Sequence, residues 1–230
     1  MGEYLVLVHE DERAHLAQAP RAMAELLSAQ SRYGERLHRD GRSRGSGRLR
    51  PSDEGRRVGR TTTGEVGVDR GPYADDGRCL ALYYWVRAST LDEAKLLASE
   101  CPVLPTDHVE VREVTKGRAP EDPRARTGRV FGFAVLGRAA SIDDWNTLMD
   151  HIDRESAEVT ASFLGGVRLR APDPWEEGRG TFDGPFLESK EVLGGLFFLR
   201  LSALEDAVDW AARSPYAVHG RLEVRELWRS

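Results

Sequence analysis

An internal repeat constrains this chain more than any other sequence feature. Asp183-Gly184-Pro185-Phe186 aligns without a gap with Arg70-Gly71-Pro72-Tyr73, which lies 113 positions earlier. At the same shift, Glu223-Val224-Arg225-Glu226 falls on Glu110-Val111-Arg112-Glu113, so four consecutive residues are identical. A chain of 230 residues is long enough for two compact halves that each bury a core. The repeat therefore predicts two similar folding units.

Apolar periodicity predicts the same order of elements in each half: strand, helix, strand or hairpin, strand, helix, strand. Residues 4–8 and 80–86 are apolar runs typical of buried strands, and Pro20 marks the start of an amphipathic helix. Residues 9–13 are predicted to be a polar loop. This order is that of a ferredoxin-like, split βαβ unit. We therefore expect an α+β fold in which two tandem ferredoxin-like repeats pack as an intramolecular pseudo-dimeric α/β barrel.

The predicted first repeat covers residues 1–115 and carries the divergent copy of the motif. Residues 116–128 hold Gly117, Pro120 and Pro123 without an apolar pattern, which predicts a linker. Residues 129–230 form the predicted second repeat, with the Asp-Gly-Pro-Phe motif at 183–186. Because the two repeats of one chain can pair with each other as two subunits would, the sequence predicts a monomer with an internal pseudo-dimer.

Composition excludes several classes of protein. The net charge of −5 argues against a nucleic-acid surface, and no apolar run approaches the 18 residues of a membrane span. The start of the chain leads into a strand without a signal sequence, and two cysteines without a CxxC motif fit a reducing compartment. A cytoplasmic location is expected. Because no phosphate-binding loop, HExxH motif or cluster of metal ligands is visible, no cofactor and no metal are expected.

The stretch from Arg36 to Arg60 contains nine arginines. An anion or nucleic-acid patch is one interpretation, and a solvated, partly mobile loop is the other. Glycine and serine interrupt the run, and no aromatic residue within it could stack on a base. The favoured prediction is therefore the solvated loop, followed by a hairpin around Thr63-Gly64.

Three stretches of the second half carry a family resemblance. They are Asp183-Gly184-Pro185-Phe186, Leu193-Gly194-Gly195 and Trp210-Ala211-Ala212-Arg213-Ser214-Pro215. Over residues 182–227 the chain resembles the YCII-related (DGPF-domain) family, and the first half resembles it more loosely through Gly71-Pro72. The resemblance implies a ferredoxin-like fold that pairs into a dimeric α/β barrel. A few relatives are cofactor-free lyases or dehydrochlorinases that act on quinone-like rings.

The candidate acid and base residues lie in the second half. Members of the family often carry a histidine near the position of His151, where the first half has Gln30. His151 is the candidate base, and Asp183 or Glu188 is the candidate acid at the Gly-Pro corner. The alternatives are that Asp183 only stabilises its own turn and that His151 is a partly exposed helix residue. His15 carries no usable signal.

Aromatic residues fall on corresponding strands of the two halves: Tyr83, Tyr84, Trp85, Phe197 and Phe198. The favoured interpretation places them in a core shared by the two sheets. The alternative is that some of them line an apolar cavity for a flat organic ligand. On that alternative the ligand contacts would be Tyr84, Trp85, Arg168, Phe186 and Phe198, with Arg168 orienting an anionic group.

Two functions from different classes remain open. The first is a non-catalytic ligand-binding or regulatory module that binds a small aromatic or quinone-like metabolite. The second is a cofactor-independent lyase or isomerase that applies general acid–base chemistry to such a metabolite. A small-molecule partner is expected in both cases, and no membrane partner in either.

Overall fold

The computed structural model describes residues 1–61, 63–71, 78–118, 129–137, 163–170, 192–214, 217 and 220–228. The strands of this part are β1 (Gly2–Asp11), β2 (Ser43–Arg48), β3 (Arg56–Arg60), β4 (Val66–Arg70), β5 (Arg78–Ala88), β6 (His108–Arg118), β7 (Arg129–Gly137), β8 (Phe163–Leu169), β9 (Val192–Leu201) and β10 (Arg221–Glu226). The helices are α1 (Glu12–Leu16), α2 (Pro20–Arg39), α3 (Leu91–Ser99) and α4 (Leu204–Arg213), and a 3-10 turn covers Ser52–Glu54. None of these described helices is long and apolar enough to cross a membrane.

The ten described strands form one sheet in the order β2-β5-β1-β6-β8-β9-β7-β10-β3-β4. Every neighbouring pair in this order is antiparallel. The first four strands of the series and the next four have the same internal order. When the strands of each group are numbered along the chain, both groups run second, third, first, fourth. The hairpin β3–β4 is added beyond β10. The predicted α+β class is therefore confirmed.

Two seams join the groups of strands. At the first seam β6 pairs with β8, from Val114 opposite Leu169 to Arg118 opposite Gly166. At the second seam, Leu49 just after β2 bridges Leu227 just after β10. The amide of Arg50 donates to the carbonyl of Glu226 at 2.8 Å, and that of Trp228 donates to the carbonyl of Arg48 at 2.8 Å. The first and eighth strands of the series are thus hydrogen-bonded to each other as well.

Side chains alternate between a shared core and two cores beneath the helices. Leu5 and Leu7 of β1 belong to the shared cluster, which also contains residues of β7, β8 and β9. Val6 and Val8 face the other way, toward α2 and α3. A third cluster packs α4 against β7, β9 and β10. Because neighbouring residues of a strand point to opposite faces, one apolar run supplies both cores.

The prediction that all five aromatic residues lie in the shared core is wrong for two of them. Tyr83, Trp85 and Phe198 do lie in the shared cluster. Tyr84 and Phe197 lie instead in the clusters beneath the helices. The reason is the alternation of the strand, which places Tyr84 on the face opposite to its neighbours on either side.

Local patterns account for the helices. Pro20 is the first residue of α2, and the buried face of that helix consists of Gln30, Tyr33 and Leu37. Thr90 caps α3 by accepting a hydrogen bond of 3.1 Å from the amide of Glu93. The predicted start of a helix at Pro20 is confirmed. The polar loop predicted at residues 9–13 is wrong, because β1 runs to Asp11 and the Asp11 carboxylate caps α1.

The solvated loop predicted for residues 36–60 is also wrong. This stretch contains the end of α2, the strands β2 and β3 and the 3-10 turn. Its arginines pair with carboxylates from distant elements, as in Arg42 with Glu93 at 2.6 Å and Arg44 with Glu3 at 3.0 Å. Strand β2 was not apparent from sequence because its residues show no apolar alternation. The hairpin prediction is confirmed by the pairing of β3 with β4.

Candidate functional site

A buried group of polar side chains lies at the end of β1, on the side of the sheet that faces α2. Its members come from five elements or loops: Glu10, His15, Gln30, Arg48 and Asp107. Glu10 and Gln30 are each 4% exposed, and Asp107 is 9% exposed. Buried polar groups are costly unless they are paired, and their concentration at one place is typical of a functional site.

Asp107 orients the imidazole of His15. Its carboxylate accepts hydrogen bonds from the amides of Asp11 at 3.2 Å and Leu104 at 2.8 Å. The Nε2 atom of His15 lies 3.0 Å from both oxygens of the same carboxylate. Because a carboxylate only accepts, Nε2 carries a proton. In the neutral ring the lone pair is then on Nδ1, which lies 3.6 Å from Oε2 of Glu10.

Arg48 holds Glu10 in a fixed position. Its two terminal nitrogens donate to the Glu10 carboxylate at 3.0 and 2.7 Å, a bidentate arrangement. Arg48 also donates to the side-chain oxygen of Gln30 at 2.6 Å, and Gln30 donates to the carbonyl of Pro102 at 3.0 Å. These side chains therefore form a row from Asp107 through His15, Glu10 and Arg48 to Gln30. Hydrogen bonds link each neighbouring pair except His15 and Glu10, whose separation is too long for one.

Aromatic and thiol groups surround this chain on its inner side. Tyr84 donates from its hydroxyl to the carbonyl of Gln30 at 3.0 Å and meets Tyr33 edge to face at 4.8 Å. Burial raises the pKa of the Tyr84 hydroxyl. Burial, assisted by the negative charge of Glu10, raises the pKa of the Cys101 thiol to about 12. Neither group exchanges a proton readily at neutral pH.

The side chains of His15 and Arg48 reach solvent, with exposed fractions of 11% and 23%. Glu10, His15 and Asp107 also place donor atoms within 4.8 Å of one another, the one such group among the described residues that could hold a metal ion. Arg48 and two backbone amides already engage the two carboxylates. The arrangement therefore favours proton exchange and ionic contacts at His15 over metal binding.

A cavity of about 200 Å³ lies at the second seam. It is lined by Arg50, Pro51, Glu54, Arg129, Phe131, Leu204, Arg225 and Glu226. Arg50 contacts both carboxylate oxygens of Glu54, at 2.5 and 3.2 Å. Arg129 does the same with Glu226, at 2.9 and 2.5 Å. Two bidentate ion pairs thus line one depression with apolar side chains.

Sequence comparison places the chain in a family. The model of the YCII-related domain matches residues 3–118 and 146–230. The chain belongs to the YCII-related family.

Among solved structures, a heme-binding protein from Thermus thermophilus is similar to this YCII-related chain with a TM-score of 0.43 and 11% identity, over 99% of this chain and 91% of that one. A candidate chlorite dismutase is similar with a TM-score of 0.45 and 10% identity, over 100% of this chain and 96% of that one. No curated protein matches the sequence.

The residues predicted to form the site of this YCII-related protein are only partly described. His151, Asp183, Phe186 and Glu188 lie outside the described residues. Tyr84 borders the His15 group, as given above. Arg168 is a half-buried residue of β8, opposite Gly195.

Two other predicted ligand contacts lie in the shared core. Trp85 is fully buried and donates from Nε1 to Glu3 at 2.9 Å. Phe198 stacks on Tyr83 with ring centroids 5.2 Å apart.

Partial signals for the His15 group were present in the sequence. Gln30 lies in the first half near the position of His151 in the second, and Arg48 corresponds to Arg168 when residues 45–50 are matched with 165–170. His15 itself was missed, because its partner Asp107 is 92 residues away in the chain. No local spacing rule links two residues at that separation.

Proposed function

We propose that this YCII-related protein binds a small, weakly acidic organic molecule, such as an aromatic or quinone-like metabolite, at the His15 group. The observation that carries the proposal is the Asp107–His15 pair, with Nε2 at 3.0 Å from the carboxylate and Nδ1 directed toward Glu10. The His15 side chain is 11% exposed, so a phenol or enol hydroxyl can approach the imidazole. The partly exposed Arg48 is available to an anionic group of the ligand.

The alternative function is that of a cofactor-independent lyase or isomerase on the same class of ligand. An Asp-oriented histidine beside a fixed carboxylate is an arrangement suited to general acid–base catalysis. His15 would take or return the proton at the ligand, and Glu10 would stabilise the protonated ring. In the second half, His151 as base with Asp183 or Glu188 as acid remains a prediction from the sequence alone.

The sequence repeat is the basis of a second proposal, which concerns the fold. We propose that the two groups of four strands are tandem ferredoxin-like repeats, spanning 1–118 and 129–230, packed as a pseudo-dimeric α/β barrel. Their equal strand order and the two seams support this. The first repeat includes Lys116–Arg118, since β6 extends to Arg118. Light scattering tests the proposed monomer, for which a mass near 25.6 kDa is expected.

A thermal-shift screen against phenols, quinones and hydroxylated aromatic acids tests the binding. A ligand at 100 times its Kd stabilises the native state by about 2.7 kcal/mol. We expect His15→Ala to abolish the shift, while His38→Ala, a change at an exposed histidine of α2, leaves it intact. Asp107 keeps its two backbone donors in His15→Ala, so the variant should fold.

The two halves can be separated with the same ligand. Loss of binding in His15→Ala but not in His151→Ala and Asp183→Ala assigns the ligand to the first half. The reverse pattern would reject the His15 site and support the second-half prediction. Turnover of a bound ligand that disappears in His15→Gln would establish the enzymatic alternative.

A further inference from the structure

The seam cavity brings together segments from both halves of the chain. Residues 50–54 follow β2, residues 129–131 begin β7, Leu204 begins α4, and residues 225–226 end β10. The cavity exists only because the stretch after β2 meets β10 at the second seam. Its volume of about 200 Å³ is enough for a small metabolite and too small for a dinucleotide or a drug-sized ligand.

Arginines supply hydrogen-bond donors for an anion at the cavity wall. Three of them line it, Arg50, Arg129 and Arg225, and each is paired with a glutamate, Glu54, Glu226 and Glu223 respectively. An anion would therefore bind here by exchanging with a paired carboxylate, and the exchange is easiest where that carboxylate is exposed.

Glu54 already occupies Arg50 in the way that a ligand carboxylate would. Its side chain is 44% exposed, and it contacts Arg50 as an i,i+4 pair at the rim. Exposed pairs of this kind contribute little to stability, so an incoming carboxylate can replace Glu54 at small cost. Arg129 is 38% exposed and pairs through Nε and Nη2 with Glu226, so a ligand carboxylate would approach its remaining terminal nitrogen, Nη1.

The remaining wall is apolar. Phe131, Leu204 and Pro51 line the same depression, and the Arg129 guanidinium lies 5.2 Å from the centre of the Phe131 ring. A bare inorganic ion would leave these surfaces without a partner, whereas an organic carboxylate with a small apolar body would contact them.

We infer that the seam cavity is a binding site for a small organic carboxylate, held by Arg50 and Arg129 and packed against Phe131. Glu54 competes with the ligand for Arg50. This site is separate from the His15 group, and its occupancy does not depend on the function proposed there.

Ligand-observed NMR titration with benzoate, at constant ionic strength, tests the inference. We expect saturable binding that is at least ten-fold weaker in Arg50→Gln and in Arg129→Gln. Glu54→Gln is expected to bind several-fold more tightly, because the competing carboxylate is gone. That gain cannot be produced by partial unfolding. His15→Ala should bind benzoate as the unsubstituted protein does.

A matched control is available on α2. Arg21 and Glu25 form another i,i+4 pair, with side chains 91% and 67% exposed. Neither residue lines the cavity. Arg21→Gln should leave benzoate binding unchanged. Trp228 provides an optical readout, since the Arg50 guanidinium lies 4.7 Å from the centre of its ring. Benzoate should change the tryptophan fluorescence, and Trp228→Phe should remove that change.

Three results would overturn the inference. One is binding that Arg50→Gln and Arg129→Gln leave unaltered. Another is an equal loss of binding in Arg21→Gln, which would show a general charge effect. The third is saturable binding of inorganic phosphate with none of benzoate, which would reject an organic carboxylate as the ligand.

Discussion

Arg225 donates a hydrogen bond of 3.0 Å from Nη1 to the carbonyl oxygen of Arg50, across the second seam. Arg112 makes the corresponding contact across the first seam, from Nε to the carbonyl of Arg170 at 2.9 Å. Each arginine is also paired with the glutamate two residues before it, at 2.9 Å in both cases. The repeated Glu-Val-Arg-Glu motif thus supplies one buried arginine to each seam.

Removal of Arg225 should destabilise the fold strongly. The guanidinium is 2% exposed, and its partner Glu223 is equally buried. Arg225→Met removes the buried cation next to that carboxylate, and breaking a buried pair in this way costs about 3–5 kcal/mol. The double variant Glu223→Leu/Arg225→Met should recover much of the loss. Urea unfolding measures both, and a double variant no more stable than the single one would contradict the argument.

Glu110 should make stability depend on pH in the acid range. Burial would raise the pKa of its carboxyl, but the hydrogen bond from His9 and the charge of Arg112 outweigh burial and lower the pKa to about 2. Since the folded pKa is below the unfolded value of 4.5, the native state is stabilised above pH 4.5. This contribution, about 3 kcal/mol, is lost as the pH falls toward 2.

Unfolding free energies measured between pH 5 and pH 2.5 check this dependence. We expect the decrease to be smaller in Glu110→Gln than in the unsubstituted protein. Glu25→Gln, at a side chain 67% exposed, should leave the pH dependence as it was. Identical slopes in Glu110→Gln and the unsubstituted protein would show that Glu110 is not the responsible group.

The two cysteines should be unreactive in the native state. Burial raises the pKa of Cys79 to about 12, with a similar value at Cys101, so little thiolate is present at pH 8. A thiol reagent such as DTNB should label neither residue until denaturant is added, and then both. Rapid labelling of one cysteine in the native protein would show that its side chain is accessible.

Gly195 should not tolerate a methyl group. A Cβ atom at this residue of β9 would lie 2.4 Å from the carbonyl oxygen of Val167 in β8, so the two strands would have to separate. We expect Gly195→Ala to cost roughly 2–4 kcal/mol. Gly34→Ala in α2 is the control, since its nearest contact is a Tyr84 ring carbon at 3.3 Å and alanine favours a helix. Equal thermal shifts for the two variants would contradict the close approach.

Local elements were the most predictable part of the fold. The helix from Pro20 and the cap at Thr90 follow from residues within one or two helical turns of each other. The apolar strands β1, β5 and β9 follow from their composition. Strand β2 was not predicted, because its stability comes from pairing with β5 rather than from its own apolar pattern.

The candidate site was less predictable than the fold. Gln30 and Tyr84 were noted from family position and aromatic pattern, but their connection through Arg48 was not. Asp107 and His15 are joined by the packing of a loop against α1, and neither residue type is distinctive by itself. Hydrogen bonds between side chains far apart in the chain produce no periodic pattern of residues from which they could be predicted.

The sequence by itself determined that two segments 113 residues apart share residue identities, such as Glu110–Glu113 and Glu223–Glu226. It also determined that α2 begins at Pro20, because the signals that start a helix act over a few residues. Only the tertiary structure decided that the repeated arginines lie at the seams, that β3 and β4 join β10, and that His15 meets Asp107. These contacts depend on the register of strands distant in the chain, which the packing of the whole sheet selects.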